Sequence, residues 1–215
     1  MRIFVLALVI MMTAGAAPAS EVLRRAAAAG DLAAVQRLIG AGAALETRDA
    51  QGRTALLLAV DRNHVAVARA LIAAGASPNS QAANRDTPWL LAGASGRTEI
   101  LAAMVPAGPD FSIRNRFGGN ALIPACERAH VDTVRLLLTT RIDVNHVNNL
   151  GWTCLLEIVI LGDGGPRHQE VARMVLAAGA DPNIADKEGV RPLTHARRRG
   201  QAEVARLIAE AGGRP

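Results

Sequence analysis

Few residues in this chain stand where they could do chemistry. Gly93-Ala94-Ser95-Gly96 glances at the strand-to-helix elbow that presents a nucleophilic serine. Its second glycine comes one residue too early for that turn. Gly40-Ala41-Gly42 lacks the third glycine of a dinucleotide loop and follows a helical pattern instead of opening one. The five histidines are scattered. Only His168, near Asp163, suggests a metal ligand, and one imidazole with one carboxylate falls short of the three or four ligands that zinc takes. No acid–base pair can be assigned from spacing. The residues therefore point away from an enzyme, and no catalytic residue, cofactor or metal is expected.

Composition narrows the class. The chain has 215 residues and is 50% hydrophobic, yet it holds only two Trp, three Phe and no Tyr. Ala and Leu carry the apolar mass, which suits many close helix–helix contacts. The sequence pI of 10.7 looks like a nucleic-acid footprint. It arises because 23 of the 24 basic residues are Arg and no Tyr is present, so a modest excess of +5 finds little to titrate below Arg. That charge is an ordinary solubility charge, and no nucleic-acid partner is expected.

The N-terminus reads as an address. Arg2 precedes an unbroken apolar run from Ile3 to Met12, and then come Thr13-Ala14-Gly15-Ala16-Ala17-Pro18-Ala19. This is the order of a secretory signal peptide, residues 1–19, cleaved after Ala19 or, as the runner-up, after Ala16. An uncleaved anchor is the competing reading, but the run is short of the roughly 20 residues a spanning helix needs. The mature chain is expected to be periplasmic or secreted.

The dominant signal is a repeat. Gly75-Ala76-Ser77-Pro78-Asn79 recurs with variations near Gly42, Gly108, Arg141, Gly179 and Gly212, at steps of 33 residues with one of 38. A helix-opening position recurs in register at Glu21, Thr54, Thr87, Asn120, Thr153 and Arg191. Thr there caps a helix, Pro fits its first turn, and Gly after the second helix supplies a left-handed terminus. A period of this length marks a solenoid.

The unit from Asp49-Ala50-Gln51-Gly52-Arg53-Thr54-Ala55-Leu56 to Gly75-Ala76-Ser77-Pro78-Asn79 resembles the ankyrin repeat, and Thr87-Pro88-Trp89-Leu90 is the nearest match to that family's helix opening. The resemblance covers the chain after the signal. It implies an all-α solenoid of about six helix–turn–helix units joined by short β-hairpin-like loops. The unit boundaries expected are about 20–48, 49–81, 82–114, 115–147, 148–185 and 186–215, with atypical caps at both ends.

Departures from the family pattern carry their own expectations. Leu57, Leu90, Ile123, Leu156 and Thr194 stand where the family has a helix-opening His. His64 and His130 sit at the inter-helix break, where the family has His for structural reasons. Five extra residues around Gly164-Gly165-Pro166-Arg167-His168 predict a longer surface loop in the fifth unit. Arg141 replaces a left-handed Gly, at a cost of roughly 1–2 kcal/mol, so Arg141→Gly should stabilise. Pro124 lies just inside a helix, and Arg85 replaces a hairpin Gly. Cys126 and Cys154 occupy different positions in adjacent repeats. Helix axes about 8–10 Å apart, plus about 7 Å of offset, predict that they do not pair.

A stack of this kind holds out a surface, and the resemblance implies a protein partner held by hairpin tips and the inner face of the first helices. Units two and three are small and polar there. Units four and five gather Arg116, Phe117, Arg128, Leu150, Trp152, Ile160 and Leu161, the composition of an interaction hot spot. The competing reading folds Phe117 and Trp152 down for stability, whereas Trp89 stands at a buried Leu position and reads as core. Arg197-Arg198-Arg199 is either a solvated end cap or a contact for an acidic partner or lipid headgroups. The function expected is that of a monomeric, non-catalytic, exported binding module. Two narrower roles compete: an immunity or inhibitor protein against a periplasmic toxin or hydrolase, and an accessory to a periplasmic enzyme, as in oxidative-stress defence.

Overall fold

The computed structural model describes residues 17–215. The apolar run of the expected signal peptide lies outside the described residues. From there on the chain alternates short helices and tight turns, with no strand among the described residues.

The helices come in pairs: α1 Ala19–Ala29 with α2 Leu32–Gly40, α3 Ala55–Asp61 with α4 Val65–Ala73, and α5 Pro88–Ala94 with α6 Thr98–Met104. They continue as α7 Leu122–Glu127 with α8 Val131–Leu137, α9 Cys154–Ile160 with α10 Pro166–Ala177, and α11 Pro192–Arg198 with α12 Ala202–Glu210. Each odd-numbered helix packs on the next odd-numbered helix, and each even on the next even. The result is a two-layered solenoid with one continuous core between the layers.

The capping threonines act as their spacing predicts. Thr54, Thr87 and Thr153 accept from the backbone N–H of Leu57, Leu90 and Leu156, and Asn120 accepts from Leu122 and Ile123. Leu57, Leu90, Ile123 and Leu156, in place of the family's His, are buried. Small residues set the inter-helix distance: Ala55, Ala59, Ala92, Ala121 and Ala125 are all buried. At Gly93 the approach is closest, since a Cβ there would lie 2.8 Å from both Cβ and O of Ala121.

All the turns between units but the one that opens the third are built by a single Asx residue. The side-chain oxygen of Asp49 accepts from Gln51 and Arg53, that of Asn115 from Phe117 and Gly119, that of Asn148 from Leu150 and Trp152, and that of Asp186 from Glu188 and Val190. Such local bonds turn the chain without strand pairing. The third unit has Ala82 at this position, and its turn places Arg85 at φ +68°. Further along each unit, Asn79, Asn145 and Asn183 stitch to the following unit by donating to the carbonyls of Gly108, Gly179 and Gly212 and accepting from Asp110, Asp181 and Arg214.

Three expectations are corrected. Arg141 is not left-handed: among the described residues, the non-glycine residues at positive φ are Asn63, Arg85 and Ala129. The fourth unit ends its second helix differently, with Thr139 and Thr140 hydroxyls donating to the carbonyls of Leu136 and Leu137. The same carbonyls accept the backbone N–H of Thr139 and Thr140, so tight turns backed by hydroxyls close this helix where a left-handed glycine turn closes the others.

The five extra residues lengthen the connection only in part: residues 161–165 link α9 to α10 where three residues, 62–64 and 95–97, link α3 to α4 and α5 to α6, and the rest go into the helix. Pro166, Arg167 and His168 belong to α10, which has 12 residues against seven to nine in the other outer helices that follow α1. Pro166 lacks only an N–H that the first turn would leave unbonded, so it starts the helix early.

Cys126 and Cys154 form a disulfide, with Cα atoms 5.5 Å apart. The expectation failed because it used the distance between helix axes. Each Cα stands about 2.3 Å off its own axis, so facing Cα atoms are some 4–5 Å nearer than the axes are. The observed 5.5 Å between the Cα atoms lies within the range that a disulfide spans.

Candidate partner-binding groove

The hairpin tips of units four and five and the inner helices beside them surround one depression of about 450 Å³. The Asx turn at Asn115 holds Phe117 out at 50% exposure, and the turn at Asn148 does the same for Leu150 at 47%. Leu161, just past the end of α9, is 50% exposed. Trp152 is half-buried, packed against the core on one side and lining the depression on the other. The guanidinium of Arg116 sits 4.6 Å above the centre of the Phe117 ring. Arg128 closes the far rim, pinned by a 2.6 Å bond from its Nη1 to the carbonyl of Ala94.

Six of the seven residues expected at the site therefore share one groove: Arg116, Phe117, Arg128, Leu150, Trp152 and Leu161. Ile160 does not join them. It is the last residue of α9 and packs partly buried against the core. Trp89 is 2% exposed and meets Phe111 edge-on with ring centres 5.7 Å apart, as a core residue does.

The groove has a floor that the residue pattern did not single out. Glu157 lies in the middle of the apolar α9 and is only 5% exposed. Its Oε1 accepts from Asn148 Nδ2 at 3.1 Å, while Oε2 is buried without a partner. Burial, with the nearby charge of Glu127, pushes its carboxyl up to about 7. Asp86, also on the wall, is held above the ordinary carboxylate range by burial, with Arg116 opposing. A lone carboxylate among Cys154-Leu155-Leu156 and Ile158-Val159-Ile160 was the available sequence signal for this floor.

The histidines are structural. The Nε2 of His64 meets the carbonyl of Ala28, and burial holds His130 below the ordinary range beside a backbone bond to Ala94, with Arg128 and Arg167 adding to the shift. His168 joins the same series, because its Nε2 lies 2.9 Å from the carbonyl of Glu127 and its Nδ1 lies 2.7 Å from Asp163. It is a buried tie between units five and four, and no cluster of three metal-ligating side chains occurs among the described residues. The Gly93–Gly96 stretch is equally structural: Gly93 admits Ala121, and a Cβ on Gly96 would meet the His130 ring at 2.8 Å.

A family model described as ankyrin repeats (3 copies) matches residues 23–115 and 89–186. This chain belongs to the ankyrin-repeat family. The ankyrin-repeat protein YahD of Escherichia coli (strain K12) is 41% identical over 188 residues, which is 87% of this chain and 94% of YahD. An ankyrin-repeat domain from Acinetobacter baumannii AYE, known from its crystal structure, has a TM-score of 0.87 at 45% identity, covering 89% of this chain and 98% of that one. The ankyrin-repeat domain of Bcl-3, a member of the IkappaB protein family, has a TM-score of 0.80 at 28% identity, covering 93% and 88%. Ankyrin repeats mediate protein–protein interaction and are in general non-catalytic.

Along this ankyrin stack the triple-Arg run lies at the far end. Arg197, Arg198 and Arg199 are exposed, well away from the groove residues in the chain, and Arg199 reaches back toward the carbonyl of Gly162. No helix among the described residues is long and apolar enough to cross a membrane.

Proposed function

We propose that this protein is an exported, non-catalytic module that grips a protein partner in the groove of units four and five. The observation that carries the reading is the meeting of three half-exposed apolar side chains, Phe117, Leu150 and Leu161, with Trp152 in a single concavity rimmed by Arg116 and Arg128. Aromatic and Arg anchors in a depression are the usual energetic centre of an interface. The platform is preformed, so little ordering entropy is lost on binding. Support for export comes from the Cys126–Cys154 bond, since such bonds persist in oxidising compartments. The disulfide joins α7 to α9, the two inner helices that flank the groove.

The experiment is affinity capture from periplasm, with the natural chain beside a Phe117→Ala/Trp152→Ala bait of equal thermal stability. The double variant is expected to lose the partner. Equal recovery of the same partner by both baits would remove the groove from consideration. The identity of the captured protein separates the two narrower roles, a toxin or hydrolase indicating immunity and an oxidative-defence enzyme indicating an accessory.

A further inference from the structure

The groove is not merely apolar. Its floor is a carboxylate nine-tenths buried, with one oxygen on Asn148 and the other unpartnered. Two more carboxylates, Glu127 and Asp86, line the same depression. None of the three forms an ion pair among the described residues. Of the two cations on the walls, Arg116 stacks on the Phe117 ring and acts on Asp86, and Arg128 is bound to the Ala94 carbonyl, which leaves Glu157 and Glu127 without an ion-pair partner.

A buried carboxylate without a counter-charge is costly. A cation entering the groove would relieve that cost in Glu157 and the repulsion between Glu157 and Glu127 together. The walls fit one cation better than another. Trp152 is an aromatic residue on the wall, and the acceptors belong to three separate side chains on different units. A planar guanidinium with five N–H donors can stack and reach several acceptors, whereas an ammonium is a compact, strongly hydrated point.

We propose that this depression is the receptor for an arginine side chain presented by the protein partner, with Glu157 and Glu127 as its anionic floor and Trp152 as its stacking wall. The proposal rests on the groove being the partner-binding site. It has a second consequence. Glu127 and Asn148 act directly on Glu157, Asp86, Arg116 and Arg128 line the same depression, and an incoming guanidinium adds a positive charge to that set. It therefore favours the ionised carboxyl, and binding near neutral pH releases a proton from Glu157.

The test titrates the whole protein with acetyl-Gly-Arg-Gly-amide, following the indole N–H resonance of Trp152 and the heat of binding in two buffers of different ionisation enthalpy at neutral pH. The arginine peptide is expected to shift Trp152 and to release protons. Its isosteric citrulline counterpart, which lacks the charge, should bind weaker by about tenfold or more. Glu157→Gln should weaken the arginine peptide by a similar factor and abolish the proton release, while its melting transition shows that it folds. Equal binding of the citrulline peptide, preference for an acetyl-Gly-Glu-Gly-amide peptide, or a Trp152 resonance unmoved by the arginine peptide would each overturn the assignment. If one of these occurs while the Phe117→Ala/Trp152→Ala bait still loses its partner, the groove remains the binding site and only the arginine receptor falls.

Discussion

At the residue scale, two arginines show how a backbone angle outranks a pattern. Arg85 adopts φ +68° on an exposed turn, where a side chain costs energy and glycine does not. Arg85→Gly is expected to raise stability by about 0.5–1 kcal/mol, read as an upward shift of the thermal midpoint. Arg141 carries no such strain, so Arg141→Gly adds only unfolded-chain entropy and should lower the midpoint slightly. A third residue, Glu157, ties stability to pH. Its carboxyl rises from 4.5 to about 7 on folding. Below about 4.5 it is protonated in both states and no penalty exists. Between 4.5 and 7 the unfolded chain loses the proton while the folded chain keeps it, so stability falls as pH rises. Above 7 the full penalty of about 3 kcal/mol remains, at 1.36 kcal/mol per unit. Glu157→Gln should flatten this slope and be the more stable protein at pH 8, as denaturant unfolding at several pH values would record.

At the element scale, the spacing between inner helices is set by the smallest side chains. Gly93 on α5 faces Ala121 across a gap with no room for a methyl group. The obstructing atoms include a backbone carbonyl, which cannot swing aside. Gly93→Ala is therefore expected to destabilise by about 2 kcal/mol despite the better helix propensity of Ala, with the loss measured by urea unfolding. His168 illustrates the reverse situation, an element lengthened without disturbing the stack. The extra residues extend α10 forward, and His168 still reaches the preceding unit's Glu127 carbonyl as His64 reaches that of Ala28. The repeat period survived the insertion because the tie to the previous unit was kept.

At the scale of the molecule, a solenoid is held by neighbour-to-neighbour contacts, so its weakest joint limits it. The joint between units three and four has Ser112 at the position of the stitching Asn, and its hydroxyl bonds to Asp110 in its own turn. The next joint, between units four and five, carries the disulfide, which closes a loop with a sequence separation of 28. On the chain-entropy account a loop of that size is worth about 3–4 kcal/mol. Reduction should lower the thermal midpoint by several degrees and leave Cys126→Ala/Cys154→Ala insensitive to reductant. A midpoint indifferent to reductant in the natural chain would contradict the bond. Because α7 and α9 also flank the groove, the same reduction is expected to weaken partner capture.

The sequence by itself determined the repeat, the helix pairs, the capping threonines and the clustering of apolar residues at neighbouring tips. Each of these follows from local rules, namely a period near 33, a side chain that caps its own helix, and an Asx residue that turns its own chain. The neighbouring tips of units four and five could be placed together because a solenoid puts consecutive units side by side. What only the tertiary structure decided depends on distances between helices. The pairing of Cys126 with Cys154 needed the distance between their Cα atoms on facing helices, α7 and α9. Arg141 needed the hydroxyls of Thr139 and Thr140 to be seen ending the helix in another way. Glu157 looked like one polar residue in an apolar run until its burial beside Asn148 and Glu127 made it the floor of the groove, because charge and burial are properties of what surrounds a residue and not of its neighbours in the chain.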